Sequence, residues 1–238
     1  HWQITNYHFG ALLDDNDKKN IMLYQNINVK SSNVWTFGKP MVNYGVNDDQ
    51  KTPPQMLFNL FYWFEDRDLE DLSKVVDLTD KYQVTYDVAK DFNFECNSYD
   101  LYPHAEAKKV KAGDWTVDHY PKELQEADIV ILNILDYLDN ASGIDPASFT
   151  RQQLINLSTA MKPGSQLFFI SKDLDDCKLE NIFSLIYDDT DFSIIDFISI
   201  PNKDRYTKDE EVQAIADRQL LNKFGYVFVL RVIDDSDH

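Results

Sequence analysis

The chain has 238 residues, enough for one large α/β domain, and 43% of them are apolar, enough to build a sizeable core. A formal net charge of −18 disfavours free binding to DNA or RNA, unless a local patch or a basic partner supplies the contact. No run approaches the roughly 18 apolar residues of a membrane span. We therefore expect a cytoplasmic protein that has no membrane segment.

The cysteine, histidine and lysine patterns indicate neither a metal site nor a large basic surface. The two cysteines and five histidines are scattered without metal-site spacing, so we predict reduced, structural thiols and no metal site. The best basic patch is KKVK, residues 108–111, which we interpret as a solvated turn.

The first 50 residues predict an irregular N-terminal extension. The alternating stretch IMLYQNINV, residues 21–29, indicates one or two strands, and polar residues around Gly38 and Gly45 indicate loops. Thr52, Pro53 and Pro54 then mark the start of a helix. Its apolar residues have helical spacing and predict a face packed on a sheet. We divide the chain into an extension, residues 1–50, and an α/β domain, residues 51–238.

From Lys74 onward, strand-like and helix-like segments alternate. The strand-like segments are KVVDL, NFECNSYDL, KAGDWTV, ADIVILNIL, SQLFFIS, FSIIDFISI and GYVFVLRVI. The helix-like segments are VTYDVAKDF, SFTRQQLINLSTAM, LENIFSLIYDD and KDEEVQAIADRQLL. Ser148 or Thr150 is the predicted cap of the second of these helices. The alternation predicts an α/β fold with a doubly wound, mostly parallel, seven-stranded sheet.

The order of these segments resembles class I S-adenosylmethionine-dependent methyltransferases, over roughly residues 53–233. The resemblance is strongest from ADIVILNILDYLDN through a helix to MKPGSQLFFIS, followed by two strands that end in FGYVFVLRVI. In that family a KPGG-like turn, here KPGS, leads to the fifth strand, and the last two strands form an antiparallel hairpin. The resemblance implies this Rossmann-like fold with a C-terminal antiparallel hairpin, and S-adenosylmethionine as cofactor.

Five residues fall at positions where the resemblance implies cofactor contacts. Ligands of open α/β sheets bind outside the carboxyl ends of the strands. There Asp77 matches the acidic residue of the family's first motif, and Asp100 matches the carboxylate that holds the ribose hydroxyls. Asp114 and Trp115 match the third-strand loop that contacts adenine, and Asn133 ends the fourth strand. An aspartate at a strand end is also often a cap or a solvated loop residue.

The first motif departs from the family pattern. A glycine-rich turn normally follows the acidic residue, because residues without Cβ let the backbone approach the cofactor and adopt positive φ. Here the turn reads LTDKY, and no glycine occurs between Gly45 and Gly113. Bulky side chains, Tyr82 above all, would fill the space of the methionine moiety, so binding in the usual pose is in question.

The catalytic positions also depart from the family. Amino-methylating members carry an N/D-P-P-aromatic element after the fourth strand, where this chain reads Asn133, Ile134, Leu135 and Asp136. Ribose 2′-O-methylating members use a lysine–aspartate–lysine–glutamate set, in which a lysine deprotonates the hydroxyl. Asp136 and Lys172 lie near two of those positions, but a first lysine and a final glutamate are missing. These two residues are the catalytic candidates.

Two functions follow from this sequence. The first is an S-adenosylmethionine-dependent methyltransferase that acts on a nucleic acid, a protein or a small molecule. The second is a catalytically degenerate methyltransferase-fold subunit that acts as a scaffold or partner protein. The stretch LFNLFYWF and the loop around Trp35 and Phe37 are a candidate surface for a protein partner or a second copy, with core burial as the alternative. Neither GxGxxG nor GxxxxGK[ST] occurs, which disfavours a dehydrogenase or an NTPase.

Overall fold

A computed structural model describes residues 30, 32–37, 41–64, 73–135, 137, 143–174, 176–201, 208–217 and 225–234. The strands predicted within residues 21–29 and the catalytic candidate Asp136 lie outside the described residues. No helix in the described ranges is both long and apolar enough to cross a membrane.

Seven strands form one sheet in the order β3-β2-β1-β4-β5-β7-β6. Their bounds are β1 Lys74–Asp77, β2 Glu95–Asp100, β3 Val110–Ala112, β4 Ile129–Asn133, β5 Gln166–Lys172, β6 Phe192–Ile200 and β7 Gly225–Val232. Neighbouring strands are parallel, except that β7 is antiparallel to both β5 and β6. This arrangement confirms the predicted fold class, including the antiparallel pair formed by the last two strands.

Helices cover both faces of the sheet. They are α1 Pro54–Phe64, α2 Val84–Asp91, α3 Pro146–Ala160, α4 Leu179–Asp189 and α5 Lys208–Asp217, and a 3₁₀ helix spans Lys122–Glu126. Side chains of α1 and α2 share one apolar core with Val75 and Phe168, and those of α3 and α4 share the other with Val130 and Phe169. All five residues of β4 are buried, as the continuous apolar run IVILN predicts for a central parallel strand.

One local prediction was wrong, and two were right only in part. The cap of α3 is Asp145, whose carboxylate accepts the Ser148 N–H at 2.9 Å, and neither Ser148 nor Thr150 has that role. The segment KAGDWTV is mostly a loop, because only Val110–Ala112 pairs with β2. The KKVK patch is not simply a turn, since its last two residues belong to β3.

The described part of the N-terminal extension packs on the α/β domain at two places. Val34 forms a parallel bridge with Ser199, beside the edge strand β6. The Val46 N–H donates to the Tyr82 carbonyl at 2.8 Å, in the turn that follows β1. The extension therefore contacts both an edge of the sheet and the region where the candidate site lies.

Candidate functional site

Asp77 ends β1 and is buried at the carboxyl edge of the sheet. Its Oδ1 accepts the Thr79 N–H at 2.7 Å, and its Oδ2 accepts the Thr85 hydroxyl at 2.5 Å. Burial raises the pKa of Asp77 to about 7, although these hydrogen bonds oppose the change. Both of its carboxylate oxygens are thus used inside the protein, where they hold the turn after β1 against the first turn of α2.

Asp80 lies in the turn after β1, and its carboxylate contacts the N-terminal end of α2. Its carboxylate accepts the N–H groups of Thr85 and Tyr86, at 3.1 and 3.0 Å, and the Ser98 hydroxyl at 2.7 Å. Free N–H groups at a helix start are a ready anion site, and here the chain's own carboxylate takes them. Burial, and then the nearby charge of Asp77, raise the pKa of Asp80 well above its ordinary value.

Sequence reasoning missed the role of Asp80. The available signal was an aspartate shortly before a helix, which is typical of a cap. The α2 start also has Gln83 at φ 64°, a left-handed conformation that glycine adopts at least cost. The turn therefore takes up positive φ without the expected glycine.

Asp100 ends β2 and is 0% exposed. Its Oδ2 accepts the Tyr102 N–H at 2.8 Å, whereas its Oδ1 is buried and has no partner among the described residues. Burial raises the pKa of Asp100 to about 6, and the positive charge of Lys81 partly offsets this. A buried carboxylate oxygen without a partner is costly, and a ligand hydroxyl donated to Oδ1 would remove that cost.

Asp114 makes its hydrogen bonds within its own loop and to one tyrosine. Its Oδ1 accepts the Thr116 N–H and hydroxyl, at 3.0 and 2.6 Å, and the Tyr137 hydroxyl at 2.5 Å. Partial burial would raise the pKa of Asp114, but these hydrogen bonds hold it below its ordinary value. The predicted adenine contact therefore competes with existing partners of the same carboxylate.

Trp115 is buried and connects the loop after β3 to the turn after β1. Its indole N–H donates to the Leu78 carbonyl at 3.0 Å, and its ring contacts Tyr99 and Tyr120. A Cβ on Gly113 would lie 2.5 Å from this ring, so the glycine is needed for the close approach. Trp115 thus serves as packing at the position where the resemblance implied an adenine contact.

The crevice between β1 and β4 is bridged by a direct hydrogen bond. The Asn133 N–H donates to the Thr79 hydroxyl oxygen at 2.7 Å. The cavity that remains between these strands, lined also by Lys81 and Tyr82, has a volume of about 10 Å³. That is room for about one water molecule, whereas ligand pockets commonly have roughly 300 Å³ or more.

The two catalytic candidates add no described contact to this cluster. Lys172 is the last residue of β5 and is half-buried, and Asp136 is outside the described residues. Within the described ranges, no group of three or more His, Cys, Asp or Glu side chains is arranged to hold a metal ion.

No protein-family model and no curated protein matches this sequence. Solved structures do match its fold. A segment of StiE described as an O-MT aligns with a TM-score of 0.51 and 12% identity, covering 77% of this chain and 75% of that one. The [4+2]-cyclase SpnF aligns with a TM-score of 0.49 and 13% identity, covering 92% and 96%. A SAM-dependent methyltransferase from Methanosarcina mazei aligns with a TM-score of 0.47 and 11% identity, covering 69% of this chain and 94% of that one.

The strand order and the similarity to the StiE segment define the fold class. The chain has a class I methyltransferase-like α/β fold, with a parallel sheet and an antiparallel final pair of strands.

Two ends of the site differ in how they fit S-adenosylmethionine, the cofactor that the fold implies. The ribose end fits, because Asp100 Oδ1 is a buried acceptor to which none of the described residues donates. The methionine end does not fit in this conformation, because the bond from Asn133 to Thr79 and the side chains of Lys81 and Tyr82 leave only about 10 Å³.

Proposed function

We propose that this chain is an S-adenosylmethionine-dependent methyltransferase-like protein that holds the ribose of its cofactor at Asp100. The observation that carries the proposal is the buried Oδ1 of Asp100, at the end of β2 in a class I methyltransferase-like sheet. Two ribose hydroxyls would donate to this carboxylate in short, charge-assisted hydrogen bonds. When bound, the cofactor would supply an activated methyl group. The net charge of −18 favours a protein or a small molecule over free nucleic acid as the substrate.

The residues around Asp100 have positioning roles in this proposal. Asp77 holds the turn through Thr79 and Thr85, and Asp80 fixes the start of α2. The N–H of Asn133 closes the crevice through its hydrogen bond to Thr79. A protein that must first open its site binds with an apparent affinity reduced by the fraction of open molecules. We therefore propose that affinity for the cofactor is limited by the closed crevice.

A methyltransferase-fold scaffold or partner subunit is the second candidate. One observation favours it: the crevice in which a cofactor would lie is bridged by the protein's own hydrogen bond from Asn133 to Thr79. A chain that has lost its cofactor would gain stability from such a bond, since it satisfies a buried N–H. Fold alone does not decide between the two functions.

Calorimetric titration with S-adenosylmethionine and S-adenosylhomocysteine separates these candidates. In the first, wild-type protein binds both, Asp100→Asn weakens binding by about tenfold or more, and Thr79→Gly strengthens it by opening the crevice. Asp188→Asn, at an exposed position on α4, is the matched charge control and leaves binding unchanged.

Circular dichroism first verifies that each variant is folded. Absence of binding in both wild-type protein and folded Thr79→Gly would refute the first candidate and leave the second.

A further inference from the structure

A second, larger concavity lies on the α1 face of the sheet, beside the edge strand β6. We call it the Trp63 groove; it has a volume of about 220 Å³, and its lining includes Lys30, Ser32, Trp35, Trp63, Asp196 and Ile198. It shares no lining residue with the cavity at Asp77. A single water molecule needs roughly 10–15 Å³. A groove of about 220 Å³ therefore has room for a long side chain.

The walls of the groove are two indole rings whose N–H groups are already used. Trp63 Nε1–H donates to the Lys30 carbonyl at 2.8 Å, and Trp35 Nε1–H donates to the Ser32 carbonyl at 2.6 Å. The Lys30 N–H in turn donates to Asn59 Oδ1 at 2.7 Å, which attaches this segment to α1. Both indole N–H groups are therefore occupied, so neither ring offers a hydrogen-bond donor to an anion.

The two tryptophans differ in exposure. The loop around Trp35 was a candidate partner surface, with core burial as the alternative. Trp35 is 2% exposed, so the alternative of core burial applies to it. Trp63 is 48% exposed although its indole N–H is fixed by a hydrogen bond. A large aromatic ring that is held in place and open to solvent is typical of binding surfaces.

Charge at the groove favours a cation. Asp196 Oδ1 accepts the Phe197 N–H at 2.7 Å, and among the described residues nothing donates to its Oδ2. Among the described residues of the lining, Lys30 alone is basic, and its Nζ lies 5.8 Å from the centroid of the Phe37 ring. Aromatic faces and a carboxylate both attract cations, and the net charge of −18 adds attraction toward a basic partner.

We infer that the Trp63 groove receives an arginine side chain of a basic partner protein. A guanidinium is planar, so it can stack on the Trp63 indole while it donates to Asp196 at its edge. A lysine ammonium is more strongly hydrated and lacks a stacking face, so it fits less well. The inference does not depend on the methyltransferase proposal, because the groove and the carboxyl edge of the sheet are separate sites.

The test is a titration with the tripeptide acetyl-Gly-Arg-Gly-amide, followed by the NMR signal of the Trp63 indole N–H. A saturable shift of that signal is expected, and acetyl-Gly-Gln-Gly-amide should give none. Asp196→Asn keeps the acceptor for the Phe197 N–H and removes the charge, so it should weaken binding by about tenfold. Lys30→Gln keeps both backbone hydrogen bonds of residue 30 and removes a competing cation, so it should strengthen binding.

Three further variants keep the inference falsifiable. Trp63→Phe retains an aromatic face and should retain most of the binding, whereas Trp63→Leu should lose it. Because these two variants lack the reporting indole, their binding is measured by calorimetric titration with the same peptides, beside the wild-type protein. Asp188→Asn carries the same charge change at an exposed site on α4 and should have no effect. Equal weakening by Asp188→Asn and Asp196→Asn would mean diffuse attraction to an acidic surface and would overturn the inference. Absence of any shift at the Trp63 indole in the wild-type protein would overturn it as well.

Discussion

Ionisation of Asp77 should make the protein less stable as pH rises. Burial raises the pKa of Asp77 from its ordinary 3.8 to about 7, so the folded protein binds a proton that the unfolded chain has released. Its contribution to stability is complete below pH 3.8 and is lost as pH rises through 7. The pKa difference, from 3.8 to about 7, corresponds to a contribution of at most roughly 4 kcal/mol to the free energy of unfolding, at about 1.4 kcal/mol per pKa unit.

The part of this stability loss that is most easily measured lies near neutral pH. Roughly 2 kcal/mol of the loss falls between about pH 5.5 and pH 8. Asp77→Asn removes the ionisable group and keeps an acceptor for the Thr79 N–H, so this variant should lose less stability over the same range. It also removes a charge that raises the pKa of Asp80, which reduces the pH dependence further. Urea unfolding, followed by circular dichroism at several pH values, gives the free energy of unfolding for both proteins.

Asp188→Asn is the control, because it removes one carboxylate at an exposed position on α4. The reasoning fails if the wild-type protein becomes more stable from about pH 5.5 to pH 8. It also fails if Asp77→Asn and Asp188→Asn have the same slope as the wild type.

Two predictions concern packing around the site. Gly45→Ala should destabilise the protein by roughly 2 kcal/mol in urea unfolding, because Gly45 has φ +69° and a Cβ there would lie 2.5 Å from the Tyr82 carbonyl oxygen. Gly143→Ala, with φ +85° and no atom of the described residues within 4 Å of the added Cβ, is the control with a smaller cost, and an equal cost would show that the contact with Tyr82 is unimportant. Phe61→Ala should cost roughly 3–5 kcal/mol, because the ring is fully buried against Phe94 and Phe168, and thermal unfolding near the wild-type temperature would contradict this.

Local sequence patterns were sufficient to predict the helices and strands whose bounds depend on neighbouring residues. The segments FSIIDFISI and LENIFSLIYDD have the same bounds in the structure as in the prediction. The reason is that apolar periodicity and strand composition are properties of neighbouring residues. Asp77 and Asp100 were predicted at strand ends for the same reason, and both lie there.

Contacts between distant segments could not be predicted in this way. The hydrogen bond that closes the crevice joins Asn133 to Thr79, 54 positions apart, and Trp115 reaches Leu78 across 37 positions. The cap of α3 was assigned to the wrong residue because several capping residue types stand close together, and only the backbone conformation selects Asp145.

The sequence by itself determined the order of strands and helices, the class of sheet and the acidic positions at the strand ends, since each depends on local patterns. Only the tertiary structure decided that Asp80 occupies the α2 start, that Asp100 keeps an acceptor without a partner in the described part of the chain, and that the crevice is bridged. It alone also brought Lys30, Trp63 and Asp196 together in one groove. These features depend on side chains from different elements, and their distances exist only after the chain has folded.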